Sequence, residues 1–191
     1  MYSLGVESGW MPIGKKTTIT RADKNLIYQI GDLTALNFYK HYLGEFDFMG
    51  VVEYPLAIFE KEEDSFYLMA PTLFDAEKGC MIFQTPVPEG STVQLAHTTR
   101  DSAIEAVKDS VGRAMSEYPG SRPSIALCFT CMARKLVLGT RVQEEYQVLK
   151  TNFPDLPVAG FYTGGEIGPL SRGKPARHHN ETFLTLLLGV E

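Results

Sequence analysis

Apolar residues follow two rhythms along this chain: short alternating runs through roughly the first hundred positions, and helical spacing with longer runs after Asp101. Lys16–Arg21 (KTTITR) alternates, Asp23-Lys24-Asn25 turns the chain and Leu26–Ile30 (LIYQI) returns, which predicts a β-hairpin. A short strand over Ser3–Glu7 and a turn at Trp10 and Pro12 precede it. Because the hairpin is entered without a cap or lead-in, residues 1–30 are expected to be the tail of a preceding unit in a longer protein. They should pair against, or hang from, a main domain over 31–191. Asp32 or Thr34 caps a helix over Ala35–Leu43, with Leu36, Tyr39 and Leu43 on one face and Gly44 ending it. Four strand-like runs follow, Tyr54–Phe59, Phe66–Leu73, Cys80–Thr85 and Val93–Thr98, separated by the turn compositions EKEED, FDAEKG and PVPEGS. Short links between neighbouring strands favour an antiparallel meander.

In the second half Asp101 caps a helix of about sixteen residues, with Ile104, Val107, Val111 and Met115 at helical spacing and Pro119-Gly120 as its stop. Ser124–Thr130 (SIALCFT) is almost wholly apolar, as in a strand buried on both faces. A further helix over Val142–Thr151 leads through Pro154 and Pro157 to Val158–Pro169 (VAGFYTGGEIGP), a strand breaking into a glycine-rich turn. Strand, helix, strand predicts one parallel crossover. Asn180–Gly189 (NETFLTLLLG) returns as a last strand. The expected fold is α+β: a mixed, mostly antiparallel sheet with helices packed on one face.

Composition adds little to this and excludes some classes of function. With 191 residues, 44% apolar and 21% charged, the chain has the make-up of an ordinary globular domain, or of one domain with a fragment of another. A net charge of −5 argues against nucleic acid or an anionic membrane as the main partner, since both require a clustered positive field. Arg172, Lys174 and Arg177 do group together, but in a Gly/Pro loop that reads as solvated. MYSLGVESGW lacks the basic start and apolar core of a signal peptide, and Leu184–Leu188 is too short to cross a bilayer. Three cysteines do not suggest a disulfide framework. A cytoplasmic location is therefore expected.

Candidate chemistry lies mostly at the ends of the late strands. Cys128 and Cys131 form a C-x-x-C, but residues three apart on a strand point to opposite faces, so Cys128 reads as core. Cys131, followed by MARKLVLG, is expected to be the accessible thiol, its pKa lowered by a helix start and by Arg134. A zinc site from Cys128, Cys131, His178 and His179 has the ligand types without a recognisable second spacing. The turn TGGEIG has no phosphate-loop spacing, and Glu166 inside it would repel an anion. Glu144-Glu145 opens a helix and complements its dipole. No serine sits in a G-x-S-x-G elbow, so no catalytic constellation is read and no cofactor is expected.

FTCMARKLVLG, the Glu144-Glu145 helix, VAGFYTGGEIGP and HNET together resemble the C-terminal half of the FIST domain, named for F-box and intracellular signal transduction proteins. YPLAIF and the VPEG turn at Val87–Gly90 fit the same pattern. GWMPIG…TITRADKNLIYQI resembles the closing hairpin of the FIST N-type half. Two departures stand out: Ala133 replaces the usual glycine before the arginine, and Gly164 the usual aromatic after Tyr162-Thr163. The resemblance implies a sensory or ligand-recognition module, joined in bacteria to signalling outputs and in eukaryotes to an F-box. Its ligands would be small and polar, amino acids among them.

On these grounds the ligand-binding candidates are Cys131, Arg134, Tyr162, Glu166, His179 and Asn180. Arg134 is expected to pair an acid group, Glu166 an amine, and Tyr162 to cover the apolar part. If the strands at 124–130 and 158–163 run parallel and the last one antiparallel, these residues meet at one sheet edge. Arg134 should then lower the Glu166 pKa, and Glu166 should raise that of His179. The same residues could alternatively fix the loops of a protein-interaction scaffold.

Overall fold

The computed structural model describes residues 1–60 and 65–190. In chain order, β1 (Tyr2–Glu7), β2 (Met11–Asp23), β3 (Leu26–Ile30) and β4 (Leu33–Thr34) precede the helices α1 (Ala35–Leu43) and α2 (Phe48–Val52). Strands β5 (Leu56–Phe59), β6 (Phe66–Met69), β7 (Pro71–Asp75), β8 (Cys80–Phe83) and β9 (Thr92–His97) follow. The second half runs α3 (Arg100–Ser116), β10 (Ile125–Cys131), α4 (Met132–Leu138), α5 (Gln143–Asn152), β11 (Val158–Thr163), β12 (Glu166–Gly168), β13 (Arg177–His179) and β14 (Phe183–Leu188). The chain makes two compact units, Met11–His97 and Met1–Trp10 with Thr98–Glu191. Residues 1–30 are thus divided: β1 pairs with β14, while β2 and β3 pair with β9 and β8.

The unit Met11–His97 is a curled antiparallel sheet in the order β6-β5-β9-β2-β3-β8-β7, with β4 beside β3. It is not a simple meander, because β9 inserts between β5 and β2. The long strand β2 allows this. Met11–Thr18 pairs with β9 and Ile19–Asp23 with β3, and register shifts at Ile13/Thr17 and Ile19/Arg21 bend it between the two partners. Ile19, Ile27, Leu56, Met81 and Leu95 form the core, and α1 closes it with Leu36, Phe38 and Tyr39. Thr34 caps α1 by accepting from the Asn37 amide at 3.2 Å. The turn expected at EKEED falls, beyond Glu60, outside the described residues.

The other unit holds a four-stranded sheet in the order β1-β14-β10-β11. Only β10 and β11 run parallel, the crossover passing through α4 and α5; β14 is antiparallel to both β10 and β1. Alternation assigns Ser3, Gly5, Phe183, Thr185, Leu187, Ala126, Cys128 and Thr130 to one face, and this face is buried beneath the helices. α3 lies very close to it. Ser3 donates to the Ala114 carbonyl at 2.6 Å, and Ser110 donates to the Gly5 carbonyl at 3.0 Å. A Cβ on Gly5 would sit 1.9 Å from the Ser110 carbonyl oxygen, so no side chain fits at this position.

The opposite face carries Leu4, Leu186, Leu188, Ile125, Leu127, Phe129 and Phe161. These are half-buried or, for Phe161 (64%), exposed. The expectation that Ser124–Thr130 is buried on both faces is therefore corrected: helices cover one face and leave the other apolar and partly open. Among the described residues no helix is long and apolar enough to cross a membrane.

Candidate functional site

The edge where β10 and β11 end gathers most of the candidate residues. Gly164 and Gly165 turn the chain after β11, and Glu166 then pairs with His179 in the β12–β13 ladder. Glu166 is buried and takes hydrogen bonds from two hydroxyls, Thr163 at Oε1 and Thr182 at Oε2, the latter at 2.6 Å. His179 Nδ1 lies 2.9 Å from Thr182 Oγ1 and 3.9 Å from Glu166 Oε2. With Glu166 ionised, Thr182 gives it its one proton and so accepts from Nδ1–H, which fixes the tautomer of His179. Asn180 donates to the Gly164 carbonyl at 3.3 Å and ties the two turns together.

Arg134 sits beside this cluster in a fully enclosed position. Its Nε donates to Glu145 Oε1 at 2.9 Å, Nη2 to the Ala103 carbonyl at 2.6 Å, and Nη1 to the carbonyls of Ser8 at 2.6 Å and Glu181 at 3.4 Å. The Trp10 and Phe183 rings lie 5.9 and 5.7 Å from the guanidinium carbon. Tyr162 donates to the other Glu145 oxygen at 2.8 Å. Glu145 thus joins α5 to α4 and β11. Beyond the dipole-complementing role expected of it, Glu145 forms with Val148 and Leu149 a buried i, i+3, i+4 stripe. That stripe was the available signal. For Thr163 and Thr182, which hold the Glu166 carboxylate, the sequence offers none.

Burial changes the electrostatics expected here. Removal from water raises the Glu166 pKa against the lowering pull of Thr163, Thr182 and Arg134. It lowers His179 to about 4, assisted by His178. Both directions reverse the expectation. At Glu166 desolvation outweighs the hydroxyl hydrogen bonds and the Arg134 charge, and at His179 desolvation and the His178 and Arg177 charges act in the same direction. The Cys131 thiol is likewise pushed up to about 12 by burial and by the Glu181 and Glu166 carboxylates. It is 3% exposed, no more accessible than Cys128 at 5%, so the accessible, acidified thiol is corrected. Cys131 ends β10, its amide donating to the Thr182 carbonyl at 3.0 Å, and α4, seven residues long, starts at the next residue. The two cysteines are not joined. Among the described residues no group of three or more His, Cys, Asp or Glu is placed to hold a metal ion.

Of the six candidates, five are buried and only Tyr162 reaches open space. With Glu145, Cys128, Thr130 and Leu149 it lines a groove of about 450 Å³ between α5 and the β10–β11 edge of the sheet.

A crossover sheet with helices on one face and a polar cluster locked at its strand ends makes this unit an α+β domain. The chain belongs to the FIST C domain family, whose model matches residues 35–169, and that domain is associated with signal transduction. An uncharacterised protein of Mycobacterium bovis and one of Mycobacterium tuberculosis are each 26% identical to it over 183 residues, covering 91% of this chain. A second uncharacterised M. tuberculosis protein is 26% identical over 185 residues. The chain spans about half (47%) of the length of these relatives. No solved structure matches it.

Proposed function

We propose that the chain is a cytoplasmic sensory module of a signal-transduction protein and reads a small ligand in the groove beside Tyr162. One observation carries this reading: Tyr162 and Glu145 belong both to the wall of that groove and to the buried Arg134 network. A ligand touching Tyr162 therefore acts on a guanidinium that also holds the Ser8, Ala103 and Glu181 carbonyls, in three distant segments. Cys131, Arg134, Glu166, His179 and Asn180 fix the wall, and Tyr162 makes the contact. The module acts by binding and carries out no reaction. A cytoplasmic setting suits its free, buried thiols.

Thermal-shift screening of amino acids and related metabolites on the whole chain tests the proposal. A binder held at about 100 times its dissociation constant adds roughly 2.7 kcal/mol. That stabilisation should vanish in Val158→Trp, which fills the groove; stabilisation untouched by the filling turns the reading down.

A second reading, an interaction scaffold, is favoured by the partly open apolar sheet face. Its occupant would be an N-type FIST half, because the relatives carry about as much chain again beyond the matched part. The face offers such a body no charged side chain, only Leu127, Phe129, Phe161 and their neighbours. Leu127→Asp and Phe161→Asp should abolish association with a separately expressed N-type half. Association that survives both changes removes this reading.

A further inference from the structure

Building on the ligand reading above, we infer that the groove takes an uncharged molecule with a flat apolar body and a single hydrogen-bonding group, not an amino-acid zwitterion. Its volume of about 450 Å³ suits a small organic ligand, within the range of about 300–1,000 Å³ for such pockets. The lining is chiefly apolar and aromatic, with Leu149 and Tyr146 from α5 facing Val158, Phe161 and Phe183 from the sheet. Aromatic walls favour a planar body packed face to edge or face to face.

The polar groups in the lining decide the charge of the ligand. An ammonium needs a carboxylate with free acceptor capacity, and a carboxylate needs a cation. The charge of Glu145 is already matched by Arg134, and its two oxygens hold Arg134 and Tyr162. Arg134 is fully enclosed and spends its three nitrogens on Glu145 and on carbonyls. Lys135 lies 5.5 Å from the Tyr162 ring centre but does not line the groove. A zwitterion would enter with neither charge compensated, and desolvation of unpaired charge opposes that strongly.

Thr130 supplies the complementary observation. It is 7% exposed and lines the groove, and its Oγ1 has no hydrogen-bond partner among the described residues. A buried hydroxyl left unpaired is costly, and a ligand hydroxyl, amide or ring N–H at this depth would satisfy it. One neutral polar group, positioned against Thr130, is what the groove lacks.

Calorimetric titration of the whole chain with p-cresol, indole, tyramine and tyrosine separates the possibilities, since all four share an aromatic body and differ in charge. p-Cresol and indole should bind, and tyrosine at least about tenfold more weakly. Thr130→Val should weaken p-cresol by about five- to tenfold, the range for one neutral hydrogen bond, and leave toluene unchanged. Thr130→Ser, which keeps the hydroxyl, should restore p-cresol binding and guards against a packing effect. Tyrosine binding as tightly as p-cresol overturns the ligand class while the sensory reading stands. If no probe binds, the ligand class falls, and the thermal-shift screen with Val158→Trp decides the sensory reading separately.

Discussion

Arg134 and Glu145 form an ion pair at 2.9 Å with side-chain exposures of 0% and 5%. Neither charge can turn to water if its partner is removed. Arg134→Met or Glu145→Leu alone should therefore cost about 3–5 kcal/mol, while the double substitution should cost clearly less than the sum. A double-mutant cycle by urea unfolding measures this, and additive losses would show that the pair is not coupled.

The thiols should be silent in the native protein. Cys128 and Cys131 are both held at about 12 by burial, and Cys80 is also raised and buried. A thiol-disulfide reagent at pH 8 should label none of the three cysteines until unfolding, and all of them in denaturant. Rapid native labelling at Cys131 would contradict its burial.

Acid should destabilise the fold through His179. The unfolded ring titrates near 6.5 and the folded one at about 4, so between those values the unfolded state binds the extra proton. This contribution is complete above about pH 6.5 and is lost as pH falls through the window, on the order of 3 kcal/mol by pH 4. Glu166 acts in the opposite sense. Its raised pKa gives stability present below 4.5 and lost as pH rises through the folded value, which blunts the histidine slope. His179→Gln should flatten the acid limb when denaturant unfolding is compared at pH 4.5 and pH 7. An acid limb unchanged by the substitution assigns it to other groups.

Gly5→Ala tests the helix–sheet contact. Its Cβ would meet backbone, not a flexible side chain, so α3 must shift away from β1 and β14. A loss of about 3 kcal/mol in thermal or denaturant unfolding is expected for such overpacking. A neutral effect would mean that α3 can slide over the sheet at little cost.

Local signals were legible where they are self-sufficient. Thr34, the Leu36/Tyr39 stripe and Gly44 mark α1 over the observed span, Ala35–Leu43. Val142–Thr151 lies within a residue of α5, and the β10–β11 crossover and the antiparallel return of β14 follow from order alone. The cap of α3 slipped to Thr99, whose hydroxyl accepts from the Ser102 amide. What stayed hidden depends on partners distant in sequence. Nothing near Thr92 announces that β9 will sit beside β2, because long-range pairing is set by the whole sheet. Tyr162 was legible as a residue at the end of β11, and Arg134 as one just past the end of β10. Its enclosure was not legible, because the groups that surround it come from Ser8, Ala103, Glu145 and Glu181. The pKa directions failed for the same reason: neighbouring charges can be read from a sequence, but depth cannot.

The position of β14 has a consequence for biosynthesis. It lies between β1 and β10, so among the described residues the strand at Tyr2–Glu7 finds its ladder partner in Phe183–Leu188, far along the sequence. At roughly 5–20 residues per second on the ribosome, β1 waits on the order of ten to thirty seconds before that partner is made. Late in this interval the parallel β10–β11 pair can form, but its sheet stops at an unpaired β10 edge and β1 has no place in it. This segment is therefore most open to mispairing just before Phe183–Leu188 is made, and a ribosome stalled there would present two open strand edges at once.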